Sequence, residues 1–119
     1  MFKIDGTNIT LTQGNTADIQ IIPLDDAGQM VYLVPGDRIV FAIKSLNKYH
    51  FRKELTDADY DSESDSYLLR LEPEDTEDLP PLAYKYDCLL ITRDGEQYTF
   101  IDESNFTLVR AIAKAGDDE

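Results

Sequence analysis

The chain has little of what most chemistry needs. Its 119 residues include one histidine, one cysteine and no tryptophan. A single cysteine excludes an intrachain disulfide and leaves the redox compartment open. Lysine and arginine are scarce as well, 11 against 24 acidic residues, for a formal net charge of −13. Phosphate binding needs neutralising cations, so this balance argues against nucleic acid and against anionic membranes. The simpler reading of the charge is solubility, since high net charge opposes self-association; the sharper one is steering toward a basic partner. There is no apolar run long enough to span a bilayer. The opening residues MFKIDGTNIT have no basic region, apolar core or cleavage site, so no signal peptide is expected. The sequons at Asn8 and Asn105 then read as chance. No Gly-rich strand-to-helix turn is present, which excludes the usual dinucleotide and phosphate motifs. No segment holds a helical period, and no internal repeat is visible.

What remains is a succession of short alternating runs. Tyr84, Tyr86, Cys88 and Leu90 share one face of a strand, with Lys85, Asp87 and Leu89 on the other. A strand polar at its start and apolar on both faces at its end reads as central, with its later half covered. Asp94-Gly95 follows, the residue pair preferred for a two-residue type I′ hairpin, and residues 97–101 return antiparallel. Before this hairpin, Pro80-Pro81 ends any strand, and Asp75 or Thr76 is placed to cap a single helical turn. Tyr86-x-Cys88 after such a corner matches part of the immunoglobulin tyrosine corner, without the second cysteine or the tryptophan of antibody domains.

The rest of the chain follows the same pattern. Strands are expected over residues 8–11, 16–24, 29–34, 38–46, 49–55, 67–71 and 105–113, with turns at Gly14, Gly28 and Pro35-Gly36. The apolar face shifts near Pro23, which suggests a bend or an edge position. The acidic stretch 56–66 reads as a long hairpin loop or a frayed edge, and residues 111–115 could add a helical turn. The expectation is an all-β fold: one antiparallel β-sandwich over residues 1–113, loosely immunoglobulin-like, of about eight or nine strands, followed by an acidic tail at 114–119.

Four stretches, NITLTQGNTADIQI, VPGDRIVFAIKS, LEPEDTEDLPPLAYKYDCLLITRDGEQYTFI and NFTLVRAI, together resemble tail-associated proteins of bacteriophages and prophages. The resemblance is to the N-terminal domain of phage baseplate upper proteins, and its order and spacing cover nearly the whole chain. Cys88 and the Pro80-Pro81-Leu82-Ala83 run depart from the family pattern, and the resemblance covers the N-terminal domain of full baseplate upper proteins, which continue into further segments. The resemblance implies a β-sandwich virion component, made in the bacterial cytoplasm. It would act as a structural adaptor toward other tail or baseplate proteins, with homo-oligomerisation open. It carries over no catalytic residue.

The residues themselves agree. His50 has no evident nucleophile partner, and Cys88 lies in a row expected to be buried, where thiols are inert. Asp57, Asp59, Asp61, Glu63 and Asp65 alternate with a spacing that suits calcium ligands, but the glycine of an EF-hand loop is Ser62 and its twelfth position is Leu68. A solvated acidic loop is the favoured reading. No catalytic, cofactor-binding or metal-ligating residue is therefore expected. The rival to an adaptor is a receptor- or glycan-binding module using exposed Tyr32, Tyr49, Tyr60 or Tyr98. For assembly through a sheet edge, residues 16–24 are the candidate.

Overall fold

A computed structural model describes residues 2–5, 7–45 and 48–111, with the side chains of residues 2–5 and of Tyr49 excepted. The elements are β1 (Phe2–Asp5), β2 (Asn8–Thr12), β3 (Ala17–Ile21), β4 (Arg38–Ser45), β5 (Lys48–Thr56), β6 (Tyr60–Asp61), β7 (Ser66–Leu71), α1 (Pro73–Thr76), β8 (Ala83–Ile91) and β9 (Gln97–Val109). A 3₁₀ turn, Asp57–Asp59, joins β5 to β6. The fold is all-β. One sheet has the order β1-β2-β9-β8-β4-β5, the other β3-β7-β6.

The two sheets share one core because their inward rows are apolar at every second residue. Ile39, Phe41 and Ile43 of β4 and Tyr84, Tyr86 and Cys88 of β8 face Ile19 and Ile21 of β3 and Tyr67, Leu69 and Leu71 of β7. Burying each large apolar side chain is worth about 1.5–3 kcal/mol. Phe41 lies 4.9 Å from the Tyr86 ring and 6.2 Å from Phe106, centroid to centroid. β8 sits between β9 and β4, the central place its two-sided pattern implies.

Several expectations are corrected. The sheet is mixed rather than antiparallel: β2 runs parallel to β9, with Ile9 opposite Phe106 and Leu11 opposite Leu108. That register turns both apolar rows inward. Residues 29–34 form no strand and make only a bridge, Met30 to Leu24. Gly28 closes a tight turn on Asp25, and the Val31 amide bonds back to Pro23 O, so little chain remains before the turn at Gly36. The Asp94-Gly95 turn is not type I′. Gly95 takes positive φ (88°) but Asp94 does not. The Gly95 amide donates to Thr92 O and the Thr92 amide to Glu96 O, closing a three-residue loop with glycine in the left-handed position.

The helical turn begins earlier than expected, its N-cap lying three residues before Asp75 and four before Thr76. Glu72 is the N-cap, Pro73 holds the first helical position, and the Asp75 carboxylate accepts the Glu72 amide at 2.8 Å. Of the two alternatives for the acidic stretch after Thr56, the structure gives an edge rather than a long loop, β6 being the short terminal strand of its sheet. Asp59 accepts the Thr56 amide at 2.8 Å, which folds the 3₁₀ turn, and Tyr60 and Asp61 then pair with Tyr67 and Ser66. The expected pair of strands at 97–101 and 105–113 is one strand, β9, kept continuous by two register shifts opposite Tyr86 to Leu89. β1 was not foreseen. The tail 114–119 and most of the turn at 111–115 lie outside the described residues, although Ala111 is buried.

Candidate interaction surfaces

The outer face of the six-stranded sheet is built by the second side of the same alternation. Val40 lies opposite Leu89, and Arg38 opposite Ile91. Val40 is only 6% exposed although it points away from the core, and Ala42, Leu89 and Ile91 are half-buried. These four side chains floor a shallow depression of about 450 Å³, with Arg38, Arg52, Asp87, Gln97 and Thr99 around it. The later half of β8 was expected to be covered; among the described residues no further layer lies over it. A smaller depression continues the face past Asp87 to Lys44, Lys85, Asp102 and Glu103.

The charges on this face are balanced. Arg38 and Arg52 both reach Glu54, at 3.7 and 3.0 Å. Lys44 and Lys85 stand beside Asp87, Asp102 and Glu103. Burial pushes the Asp87 carboxyl up, Lys44 opposes that rise, and Asp102 and Glu103 add to it. Four cations thus meet four carboxylates on one face of a chain whose net charge is −13.

A second surface lies at the loop end. β3 stops at Ile21 because Pro23 cannot continue the ladder. Pro23 turns inward while Ile22 and Leu24 turn out, 43% and 47% exposed. Leu24 and Val31 form one wall of a groove of about 280 Å³, and Leu90, Tyr98 and Phe100 form the other, with Asp25 and Asp26 at its mouth. The Asp25 carboxylate is spent locally on the amides of Ala27 and Gln29, both at 2.9 Å.

A third feature joins residues that the sequence suggested separately. Tyr32 and Tyr60 stand edge to face, 5.8 Å between centroids, and both hydroxyls donate to Asp65 Oδ1, at 2.9 and 2.6 Å. These bonds raise both phenol pKa values, that of Tyr60 to about 12. Of the four tyrosines expected to be exposed, Tyr32 and Tyr60 come together and Tyr98 lies apart in the groove. The Tyr49 side chain is outside the described set.

The alternating carboxylates do not converge. Asp59 caps the 3₁₀ turn, Asp61 accepts the amide and hydroxyl of Ser64, and Asp65 holds the two tyrosines. Among the described residues no group of three or more metal-ligating side chains forms a cation site. Burial, with the Asp87 charge adding, pushes the Cys88 thiol up to about 12. His50 does have a partner that sequence reasoning missed, because the β4–β5 hairpin brings Ser45 Oγ to 2.7 Å from its Nε2. The ring stands nearly perpendicular to that of Tyr84, 4.9 Å between centroids, and among the described residues no carboxylate orients it.

The candidate edge at residues 16–24 is an edge in the fold, since β3 ends the three-stranded sheet. β5 is the longer one, nine residues at the end of the large sheet, and it carries Arg52, Lys53 and Glu54. Such charges blunt an edge against indiscriminate pairing. Comparison with family models, curated proteins and solved structures finds no match.

Proposed function

We propose that this chain is a non-enzymatic structural or adaptor component of a phage or prophage tail or baseplate, working through protein–protein contacts. The observation that carries the reading is the outer face of the six-stranded sheet. It has an apolar centre at Val40, Ala42, Leu89 and Ile91 and a charged rim, the anatomy of an interface rather than of a reaction cleft. In a chain of net charge −13 it is also a surface on which four cations stand among four carboxylates. The resemblance of the sequence to baseplate upper proteins supplies the setting.

The fold is read here as loosely immunoglobulin-like. The order β3-β7-β6 corresponds to strands B, E and D, and β9-β8-β4 to G, F and C. Tyr84 at the start of β8 bonds to the Pro80 carbonyl across the preceding corner, as a tyrosine corner does.

Mass spectrometry of purified particles tests the setting, and light scattering of the chain alone and with tail proteins tests the contact. The chain is expected in the particles, and its mass in solution is expected to rise with a tail protein but not after Ile91→Glu. Its absence from particles, together with a monomer that no tail protein alters, overturns the reading. The exposed Tyr32–Tyr60 pair favours a second reading, a receptor- or glycan-binding module, for which a glycan array is the direct test.

A further inference from the structure

Seven large hydrophobic side chains are exposed among the described residues, and their distribution is uneven. Ile22, Leu24, Tyr32 and Val34 all lie on the segment between β3 and β4. Tyr60 packs against Tyr32, and Tyr98 lines the same groove as Leu24. Of the seven, Leu24 and Tyr98 are brought together in that groove. Scattered exposed hydrophobics are ordinary, whereas those gathered in one place mark a binding surface.

The groove between Leu24, Val31, Tyr98 and Phe100 is concave and mostly apolar in its walls. Its volume, about 280 Å³, suits one or two side chains rather than a large cofactor. Its electrostatics are one-sided. Asp25 and Asp26 stand at the mouth, and no lysine or arginine lines it. Asp26 makes no hydrogen bond or ion pair among the described residues, so its charge is free to meet a ligand. Glu96 adds a further carboxylate alongside, holding the Tyr98 hydroxyl at 2.6 Å and fixing that ring as a wall.

We infer that this groove docks a short segment of a neighbouring protein that presents an apolar side chain next to a lysine or arginine. The apolar group fills the space between Leu24 and Tyr98, and the cation meets Asp26. The inference rests on the reading that the chain works through protein contacts, and it names the chemistry of one such contact. The outer sheet face, with balanced charges, has no comparable preference for a cation.

Amide chemical shifts of the ¹⁵N-labelled chain, titrated with three synthetic peptides, test it. The probes are acetyl-Leu-Arg-Leu-amide, acetyl-Leu-Glu-Leu-amide and acetyl-Gly-Arg-Gly-amide. The expected result is saturable shifts with the first peptide at residues 24–31 and 98–100, and none with the second. Leu24→Asp is expected to weaken binding at least tenfold, and Asp26→Lys several-fold, both at exposed positions that leave the remaining spectrum in place. Equal shifts with the glycine peptide reduce the effect to charge attraction and overturn the proposal. So do shifts centred elsewhere, or none. Virion particles that contain the chain while the groove binds nothing sink the groove alone. Binding by a chain absent from particles sinks the tail setting alone.

Discussion

Tyr84 Oη donates to the carbonyl oxygen of Pro80, four residues upstream, at 2.6 Å. The ring is fully buried at the start of β8, so this bond fixes the acidic corner onto the core. The corner is held from the other side too. Thr76 Oγ1 accepts the Gly14 amide at 2.9 Å, and Gln13 Nε2 donates to Leu79 O at 2.6 Å. Tyr84→Phe keeps the ring and removes one bond, an expected cost of about 0.5–1.5 kcal/mol. The melting temperature is expected to fall by several degrees, and the Leu79 amide, which bonds to Thr76 O, to exchange faster. Unchanged exchange at Leu79 would mean that the corner does not depend on Tyr84.

The two tyrosines of β8 also show what was legible in the chain. The sequence pointed to Tyr86, two residues before Cys88, but the Tyr86 hydroxyl reaches back to Thr7 O instead. Both tyrosines lie on the same inward row, so alternation could place them and could not choose between their distant partners. The inward rows of β4, β7 and β8 were readable because a two-residue period requires no knowledge of neighbours. The outer-face patch was half readable. Val40, Ala42, Leu89 and Ile91 were visible as second-face apolar residues, but only the β4–β8 register makes them adjacent. The groove was not readable, because Leu24 and Tyr98 are distant in sequence, and the turn expected at Gly28 did not say which strand would lie beside it.

Gly36 and Gly28 separate two costs of a side chain. Both have positive φ, 99° and 78°. A Cβ at Gly28 meets nothing within 4 Å, whereas one at Gly36 lies 2.7 Å from Arg93 Cβ. Arg93 cannot withdraw easily, because its amide donates to Asp37 Oδ1 at 2.9 Å while the other Asp37 oxygen holds the Val34 amide. Gly28→Ala is expected to cost about 1 kcal/mol for backbone strain alone. Gly36→Ala is expected to cost about 2–4 kcal/mol, strain plus overpacking. Denaturant midpoints of the two variants decide it, and equal values would remove the steric part of the argument.

Alkaline pH is expected to destabilise the fold through the core row of β8. Burial first, then the Asp87 charge, raises the Cys88 thiol from 9.0 to about 12. Burial, with Cys88 adding and a Ser104 hydrogen bond opposing, raises Tyr86 from 10.0 to about 12. Both groups are acids kept neutral by folding. The unfolded chain releases these protons first, so stability is intact below about pH 9 and falls as pH rises toward 12, by up to about 1.4 kcal/mol per pH unit for each group. Urea titrations at pH 8, 9, 10 and 11 measure the slope. Cys88→Ala is expected to flatten its first part, between 9 and 10, and an unaltered slope in that variant would assign the loss elsewhere.

Asp65 holds the exposed tyrosine pair, and its own backbone has φ of 51°. Asparagine tolerates that conformation, so Asp65→Asn removes the charge without disturbing the turn. The hydrogen bond from Tyr60 to Asp65 is the main cause that raises its phenol to about 12, and the same carboxylate raises Tyr32. In Asp65→Asn both phenols are expected to titrate nearer the ordinary value of about 10. Absorbance at the tyrosinate band between pH 9 and 12 reads this directly. A titration curve identical to that of the parent protein would show that Asp65 does not hold the pair in solution.

Burial raises the pKa of Asp87 on the outer face, with Lys44 opposing the rise and Asp102 and Glu103 adding to it. Its charged form is therefore less favourable in the fold than in the unfolded chain. Stability from this group falls as pH rises through the unfolded value, near 4, and on through the higher folded one, and it does not recover above that. Asp87→Asn removes the penalty while keeping the size of the side chain. Its melting temperature is expected to exceed that of the parent by roughly 1–3 °C at pH 7, with the two converging near pH 3. Added salt should also narrow the gap at pH 7, since screening weakens the repulsion from Asp102 and Glu103. A variant less stable than the parent at pH 7 would mean that the Asp87 charge is held by Lys44 more strongly than burial opposes it.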